Sequence, residues 1–182
     1  MTVRYLANFK KHDIPGAIKV SQAEEIDTAD VMSLLIQTAE WLRSKGSTQW
    51  SALLNGEDHH NTARSIARGD VYLFKEKAAL AGIVTLLRDP SEWDIRLWGE
   101  SGHDGAVYLH RLAINRAYGG RQLGKHMLKW VHSGIHFDGR DRIRLDCIET
   151  NPQLNQFYKD CGYEYVGANG GFCLYEKFFR ED

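Results

Sequence analysis

A chain of 182 residues is long enough for one sizeable core and too short for two ordinary domains. With 43% hydrophobic and 26% charged residues it has the composition of a folded globular protein, not a disordered one. A formal net charge of −1 gives no global reason to bind nucleic acid or an anionic membrane. Cys147, Cys161 and Cys173 are odd in number and lack C-x-x-C spacing, so neither a disulfide framework nor a zinc site is expected. Reduced, cytoplasmic thiols are the simpler reading. Met1 to Lys11 is not a continuous apolar leader, and no later run approaches the roughly 18 apolar residues of a membrane helix. One domain over 1–182 is expected, with 1–16 as an N-terminal extension.

Taken in order, residues 1 to 15 show no strong period and end at Pro15-Gly16. Ala17 to Ser21 reads as a first strand. Asp27 or Thr28 then caps a helix whose apolar stripe runs Val31, Leu34, Leu35, Thr38, Leu42 and stops at Gly46. A second helix is expected between Asn61 and Arg68, ended by Gly69. Val71 to Phe74 and Leu80 to Leu87 form an antiparallel hairpin. Asp89 to Gly105, rich in Trp, Asp, Glu and Gly, reads as one long loop of a kind that is often functional.

Val107 to Ile114 is the central strand, and Leu123, Met127, Leu128, Val131 and Ile135 recur at helical intervals behind it. The glycines lie at the junction. A helix starting there aims unpaired N–H groups and its positive dipole end at whatever lies in front, which makes an anion site. Gly124 costs roughly 1 kcal/mol against alanine inside a helical turn, which suits a position where the backbone must stay bare. Arg142 to Cys147 is a strand parallel to the central one. Asn151-Pro152 opens a last helix, and Tyr163 to Val166 and Phe172 to Phe178 flank the turn Asn169-Gly170-Gly171 as a closing hairpin.

Nucleotide motifs compete for the glycine turn. Gly119-x-x-x-x-Gly124-Lys125 has most of a P-loop, but His126 stands where a hydroxyl should hold Mg²⁺. The G-x-G-x-x-G spacing of a dinucleotide site is absent, although Asp146 lies where a ribose-binding acid would be. The order of elements, together with Gly119, Gln122 and Gly124 and the segment Asn151-Pro152-Gln153-Leu154-Asn155-Gln156-Phe157-Tyr158-Lys159-Asp160-Cys161-Gly162-Tyr163, resembles the GNAT superfamily of acetyl-CoA-dependent N-acyltransferases. Gly119 stands where that family has Arg or Gln, and Gln122 where it has Gly.

The resemblance implies an α/β (α+β) fold: a central mixed, mostly antiparallel twisted sheet with a splayed parallel pair, flanked by about four helices. It implies acetyl-CoA as cosubstrate, with the backbone of Leu112, Ala113 and Ile114 pairing with pantetheine. The turn Gly119, Gly120, Arg121, Gln122, Leu123, Gly124 and Lys125 would hold the pyrophosphate. Asn151 and Asn155 are candidate cofactor contacts; helix capping and a solvent-facing side chain are their structural alternatives.

Tyr158 matches the family's tyrosine near the sulfur. A phenol of pKa near 10 can give a hydrogen bond or proton to a departing thiolate whose acid has pKa about 8.5. Its alternative is a half-buried helix aromatic. His110, in Leu109-His110-Arg111-Leu112-Ala113, resembles a proposed proton acceptor of the arylalkylamine N-acetyltransferases, with Tyr108 standing where they have another histidine. Imidazole suits base work near neutral pH, and a hydrogen-bonded core histidine is the alternative. A backbone N–H near Ile114 would hold the oxyanion.

No metal is expected, since His132 and His136 sit one helical turn apart with no third ligand spaced with them. Trp41, Trp50, Trp93 and Trp98 with Glu57, Asp58, Glu92, Asp94 and Glu100 suggest a small cationic amine as acceptor. The expected activity is acetyl transfer to a primary amine of a small molecule by direct attack in a ternary complex. A non-catalytic acyl-CoA-binding or regulatory module of the same fold is the alternative. A homodimer fits the resemblance.

Overall fold

The β-prone runs and helical stripes resolve, in a computed structural model that describes residues 3–179, into strands β1 (Asn8–Phe9), β2 (Asp13–Ile14), β3 (Ile18–Gln22), β4 (Val71–Glu76) and β5 (Ala79–Leu87), then β6 (Ala106–Ile114), β7 (Ile135–His136), β8 (Arg142–Ile148), β9 (Glu164–Asn169) and β10 (Phe172–Phe178). The helices are α1 (Thr28–Ser44), α2 (Thr62–Arg68), α3 (Glu92–Trp98), α4 (Leu123–Ser133) and α5 (Pro152–Asp160). Eight strands form a mostly antiparallel sheet in the order β2-β3-β4-β5-β6-β8-β10-β9, with β6 and β8 as its parallel pair. This is the expected fold with one more helix, α3. By their internal contacts the described residues fall into two units, 3–85 with 111–136 and 86–110 with 137–179. Among them no helix is long and apolar enough to cross a membrane.

In the first unit, Val31, Leu34, Leu35 and Thr38 of the α1 stripe are buried together with Ala39, while Leu42 is half-buried. The stripe packs with Ile66 of α2 and with Val71, Leu73 and Ile83 of the β4–β5 hairpin, the 3.6-residue period of a helix meeting the two-residue period of strands. Alternate residues of β4 point the other way, and Trp130 of α4 lies 5.6 Å from Tyr72 and 5.4 Å from Phe74, ring centre to ring centre. Trp130 Nε1 donates to Lys11 O at 2.8 Å, so the N-terminal segment is tied to this packing. That segment also pairs as β1 with β7.

The pairing corrects one expectation. Ile135 is not the last residue of the helical stripe, because α4 stops at Ser133 and Ile135 belongs to a strand. Gly134, a weak helix former, is the C-cap between them, at a position where a Cβ would come within 2.1 Å of the Trp130 ring. His136 is therefore off the helix, and the one-turn spacing imagined for it and His132 does not exist.

In the second unit, β8 alternates buried Ile143, Leu145 and Cys147 with Arg144, Asp146 and Ile148 on its other face. It pairs antiparallel with β10 from Arg142–Phe178 to Ile148–Phe172, and β10 pairs with β9. The β6–β8 ladder runs only from Ala106–Arg142 to Tyr108–Arg144, although both strands continue. Leu109 and His110 have already left it.

The long loop expected over Asp89 to Gly105 is a second correction, since it contains α3. Ser91 and Asp94 form a capping box at its start: Ser91 Oγ accepts from Asp94 N at 3.2 Å and the Asp94 carboxylate accepts from Ser91 N at 2.8 Å.

Candidate functional site

The capping carboxylate of α3 does a second job. In the second unit Asp94 is 1% exposed and His110, two positions after Tyr108 on β6, is 8% exposed. His110 Nε2 lies 3.0 Å from Asp94 Oδ1 and 3.1 Å from Oδ2. An ionised carboxylate only accepts, so Nε2 carries the hydrogen that Asp94 receives. Ser91 Oγ adds a bond of 2.6 Å to Asp94.

Asp146 of β8 completes a cluster: one ligand atom from each of Asp94, His110 and Asp146 lies within 4.8 Å of the others. Asp146 Oδ1 accepts from Trp93 Nε1 at 3.2 Å. The two acids are tuned apart. Burial works against the charge of Asp94, but the charge and hydrogen bond of His110 and the bonds from Ser91 overcome it and hold the carboxyl below its ordinary value. Burial, with the charge of Asp94 adding to it, pushes Asp146 up. One carboxylate stays charged beside the imidazole and the other takes a proton more readily, the arrangement of a proton-handling site. An imidazole and two carboxylates are also donor types that divalent cations accept.

Next along β6, the hydroxyl of buried Tyr108 meets His103 Nδ1 and accepts from Arg144 Nη1 at 3.2 Å. Arg144 lies 4.4 Å over the Trp98 ring and donates to Glu176 at 2.9 Å. Tyr158 of α5 is buried among Phe157, Tyr163 and Tyr175, with ring centres 5.3, 5.9 and 6.1 Å away. Burial pushes its hydroxyl far up, so at neutral pH it is a phenol with a proton to donate to a hydrogen bond.

Asn151 caps α5, its Oδ1 accepting from Leu154 N at 3.0 Å. Asn155 is buried, not solvent-facing. Its Nδ2 donates to Ile148 O and Asn151 O, and its Oδ1 accepts from Tyr175 at 2.7 Å and Cys147 at 3.3 Å. These bonds commit its amide to holding α5 on β8 and β10.

The first unit carries the glycine turn. Asn115 caps a short 3₁₀ turn by accepting from Ala117 N, and Gly119 and Gly120 follow, Gly120 at φ +77 with nothing within 4 Å of where a Cβ would stand. Gln122 is the N-cap of α4 at φ +55 and contributes no side-chain bond. The first-turn N–H groups of Leu123, Gly124 and Lys125 thus meet no capping side chain, behind the open position of Gly120. That is the geometry an anion such as a pyrophosphate takes. Arg121 and Lys125 are exposed beside it; Arg121 pairs with Glu76 at 3.4 Å and stacks 4.9 Å over Tyr118. Upstream, Ala113 packs into the α1 core while Leu112 and Ile114 are half-buried, and Ile114 O is taken by Arg116 at 2.9 Å.

Each unit therefore holds part of what the sequence singled out: the anion turn and Leu112 to Ile114 in the first, His110, Tyr158, Asn151 and Asn155 in the second. Sequence reasoning missed Asp94 as the partner of His110, with Ser91-x-x-Asp94 as the one readable signal, and placed Asp146 only as a ribose acid.

A model of the acetyltransferase (GNAT) family matches residues 33–163. The chain is 49% identical over 152 residues to the uncharacterised N-acetyltransferase YesJ of Bacillus subtilis, covering 83% of this chain and 84% of that one. Among solved structures it resembles a GNAT-family acetyltransferase of Listeria monocytogenes, at 39% identity and a TM-score of 0.77 over 94% of this chain and 99% of the other. The PaiA N-acetyltransferase of Thermoplasma acidophilum, solved with coenzyme A, shares the fold at 16% identity and a TM-score of 0.66, over 89% and 99% of the two chains.

Proposed function

The chain belongs to the GNAT family of acetyltransferases, and from that premise we propose that it transfers an acetyl group from acetyl-CoA to a primary amine of a small molecule by direct attack. The observation that carries the reading is the buried His110–Asp94 pair. The coenzyme A held by the Thermoplasma relative supports the choice of acyl donor, and so does the uncapped start of α4 behind the open Gly120.

Asp94 accepts from His110 Nε2 and orients the imidazole, which takes the proton that the amine loses as its nitrogen attacks the thioester carbon. As the tetrahedral intermediate collapses the C–S bond breaks, and Tyr158 steadies the leaving thiolate by donating a hydrogen bond. The phenol keeps its own proton, because burial makes it a weaker acid than a thiol. The proton taken from the amine ends on the thiol or in solvent. On the nucleotide side, Gly120 to Lys125 bind pyrophosphate through backbone N–H groups, with Arg121 and Lys125 adding charge.

Thermal unfolding with saturating acetyl-CoA tests the donor: a ligand at a hundred times its Kd adds roughly 2.7 kcal/mol, and Mg-ATP should add nothing. Thiol release is then measured over a panel of amines. His110→Ala should lower kcat by about 10²-fold or more while keeping the acetyl-CoA shift, and Tyr158→Phe should lower kcat in the same direction. Unchanged turnover in His110→Ala removes that residue from the proton path. A shift with acetyl-CoA but no thiol release on any amine makes the protein a binder.

A further inference from the structure

Asp94, His110 and Asp146 stand on three different elements, α3, β6 and β8, which is why the sequence offers no metal motif for them. All three belong to the second unit. One ligand atom of each lies within 4.8 Å of the other two. Donors bound at about 2.1 Å stand about 3.4 Å apart around a tetrahedral ion, so side-chain movements of about an ångström close this set on a cation. Solvent reaches the trio at the half-buried Asp146, beside the buried Asp94 and His110.

A second signal comes from outside the trio, where each carboxylate has one oxygen fixed by a neighbour. Asp94 Oδ2 accepts from Ser91 N at 2.8 Å and from Ser91 Oγ at 2.6 Å, and Asp146 Oδ1 accepts from Trp93 Nε1 at 3.2 Å. Trp93 is itself set edge-on against Phe172, ring centres 4.9 Å apart. Outer hydrogen bonds of this kind orient the ligating carboxylates of metal sites. Asp94 Oδ1, 3.0 Å from His110 Nε2, and Asp146 Oδ2 are the oxygens those bonds leave over. Charge argues the same way. Burial and the Asp94 charge push the Asp146 carboxyl up, because two acids share one imidazole, and a bound dication is the local charge that reverses this.

We infer that Asp94, His110 and Asp146 bind a transition-metal dication of the Zn²⁺ type, and that the bound ion stops acetyl transfer. An imidazole with two carboxylates suits Zn²⁺ and its neighbours, whereas Mg²⁺ and Ca²⁺ prefer oxygen alone. The ion takes the Nε2 lone pair and displaces the hydrogen that Asp94 accepts, so it competes with protons and binds less tightly as pH falls. Inhibition rests on the reading of His110 as the base of an amine acetyltransferase: a neutral imidazole that ligates has no second lone pair with which to take the amine's proton. Binding of the ion does not depend on that reading.

The test titrates the chelator-treated protein with Zn²⁺, and separately with Mg²⁺, while following thermal unfolding. Zn²⁺ should raise Tm by several degrees, and Mg²⁺ at a concentration about a hundredfold higher should not. Co²⁺ in place of Zn²⁺ should give the visible absorption of an ion with few ligands. Asp146→Asn keeps an acceptor for Trp93 Nε1 and should weaken binding of both ions by about tenfold or more, and His110→Ala should abolish it. No shift with Zn²⁺, an equal shift with Mg²⁺, or a Zn²⁺ shift that survives both variants overturns the site, the last by placing the ion on other residues. Acetylated amine, measured directly because Zn²⁺ binds free thiol, should fall over the range of Zn²⁺ that raises Tm and recover with EDTA. Transfer at the full rate by the Zn²⁺-saturated protein overturns the inhibition. If no amine is acetylated even without metal, the proposed activity fails separately, and the Tm and Co²⁺ readings still decide the site.

Discussion

The turn before α4 and the cluster around His110 meet opposite physical demands. The turn offers backbone: the N–H groups of Leu123, Gly124 and Lys125 stand at an uncapped helix start behind a bare Gly120, and any side chain that allows the backbone path leaves those donors in place. The cluster offers side chains that satisfy one another out of water, Asp94 being 1% and His110 8% exposed. Its members depend on each other for charge and orientation. A backbone site therefore tolerates changes in its letters, as the family's glycine position filled by Gln122 illustrates, whereas a buried side-chain cluster does not.

The sharpest way to break that contrast is at Asp94. Asp94→Ala removes the acceptor of His110, of Ser91 N and of Ser91 Oγ together. Hydrogen bonds to a charged group contribute about 1.5–3 kcal/mol, so a fall in Tm of several degrees is expected, with kcat lower on the order of 10²-fold as the His110 tautomer is freed. The stability loss depends on pH. The folded protein holds Asp94 below its ordinary carboxylate value, so the contribution is full above that value and fades as pH falls through the lower, folded one. Wild type and Asp94→Ala should converge in Tm in strong acid; parallel curves down to that range would mean that Asp94 is not charged in the fold.

Asp146 gives a smaller effect of opposite sign. Burial and the charge of Asp94 push its carboxyl up, so ionising it costs the folded state stability as pH rises through the folded value. Asp146→Asn keeps an acceptor for Trp93 Nε1 and removes the charge. Its Tm should exceed that of wild type at neutral pH, with the gain vanishing in acid. A variant less stable than wild type at pH 7 would show instead that Asp146 is held charged by His110.

These two acids also mark where the sequence stops being readable. The α1 stripe, the β4–β5 hairpin, the Pro152 start of α5 and the closing hairpin follow from periods and turn residues that act within a few positions of chain, and they stand where that logic puts them. So does the glycine turn. Helix α3 escapes because its seven residues hold barely two turns, too few for an apolar period among Trp, Asp and Glu, and only the Ser91–Asp94 box marks it. The His110 cluster escapes for a different reason: Asp94 lies 16 positions before His110 and Asp146 is on another strand, so nothing short of the folded sheet brings them together. Ile135 misleads because helical spacing continues one step past Gly134, the glycine C-cap at which α4 ends.

The smallest expected effect sharpens the backbone side of the comparison. Gln122 holds φ +55 at the N-cap of α4 without a side-chain bond to offset it, and the left-handed region costs an L-residue roughly 1–2 kcal/mol. Gln122→Gly removes that strain but frees the unfolded chain, at roughly 0.5–1 kcal/mol. The balance is a gain of about 0.5–1 kcal/mol, a rise of roughly 1–4 °C in Tm for a chain of this size. Because the donors are backbone N–H groups that do not move, the Kd for acetyl-CoA should stay within about twofold or tighten as the bare backbone lets the pyrophosphate approach. Calorimetric titration beside thermal unfolding reads both. A clear loss of affinity would mean that the Gln122 side chain, rather than the helix start behind it, grips the nucleotide.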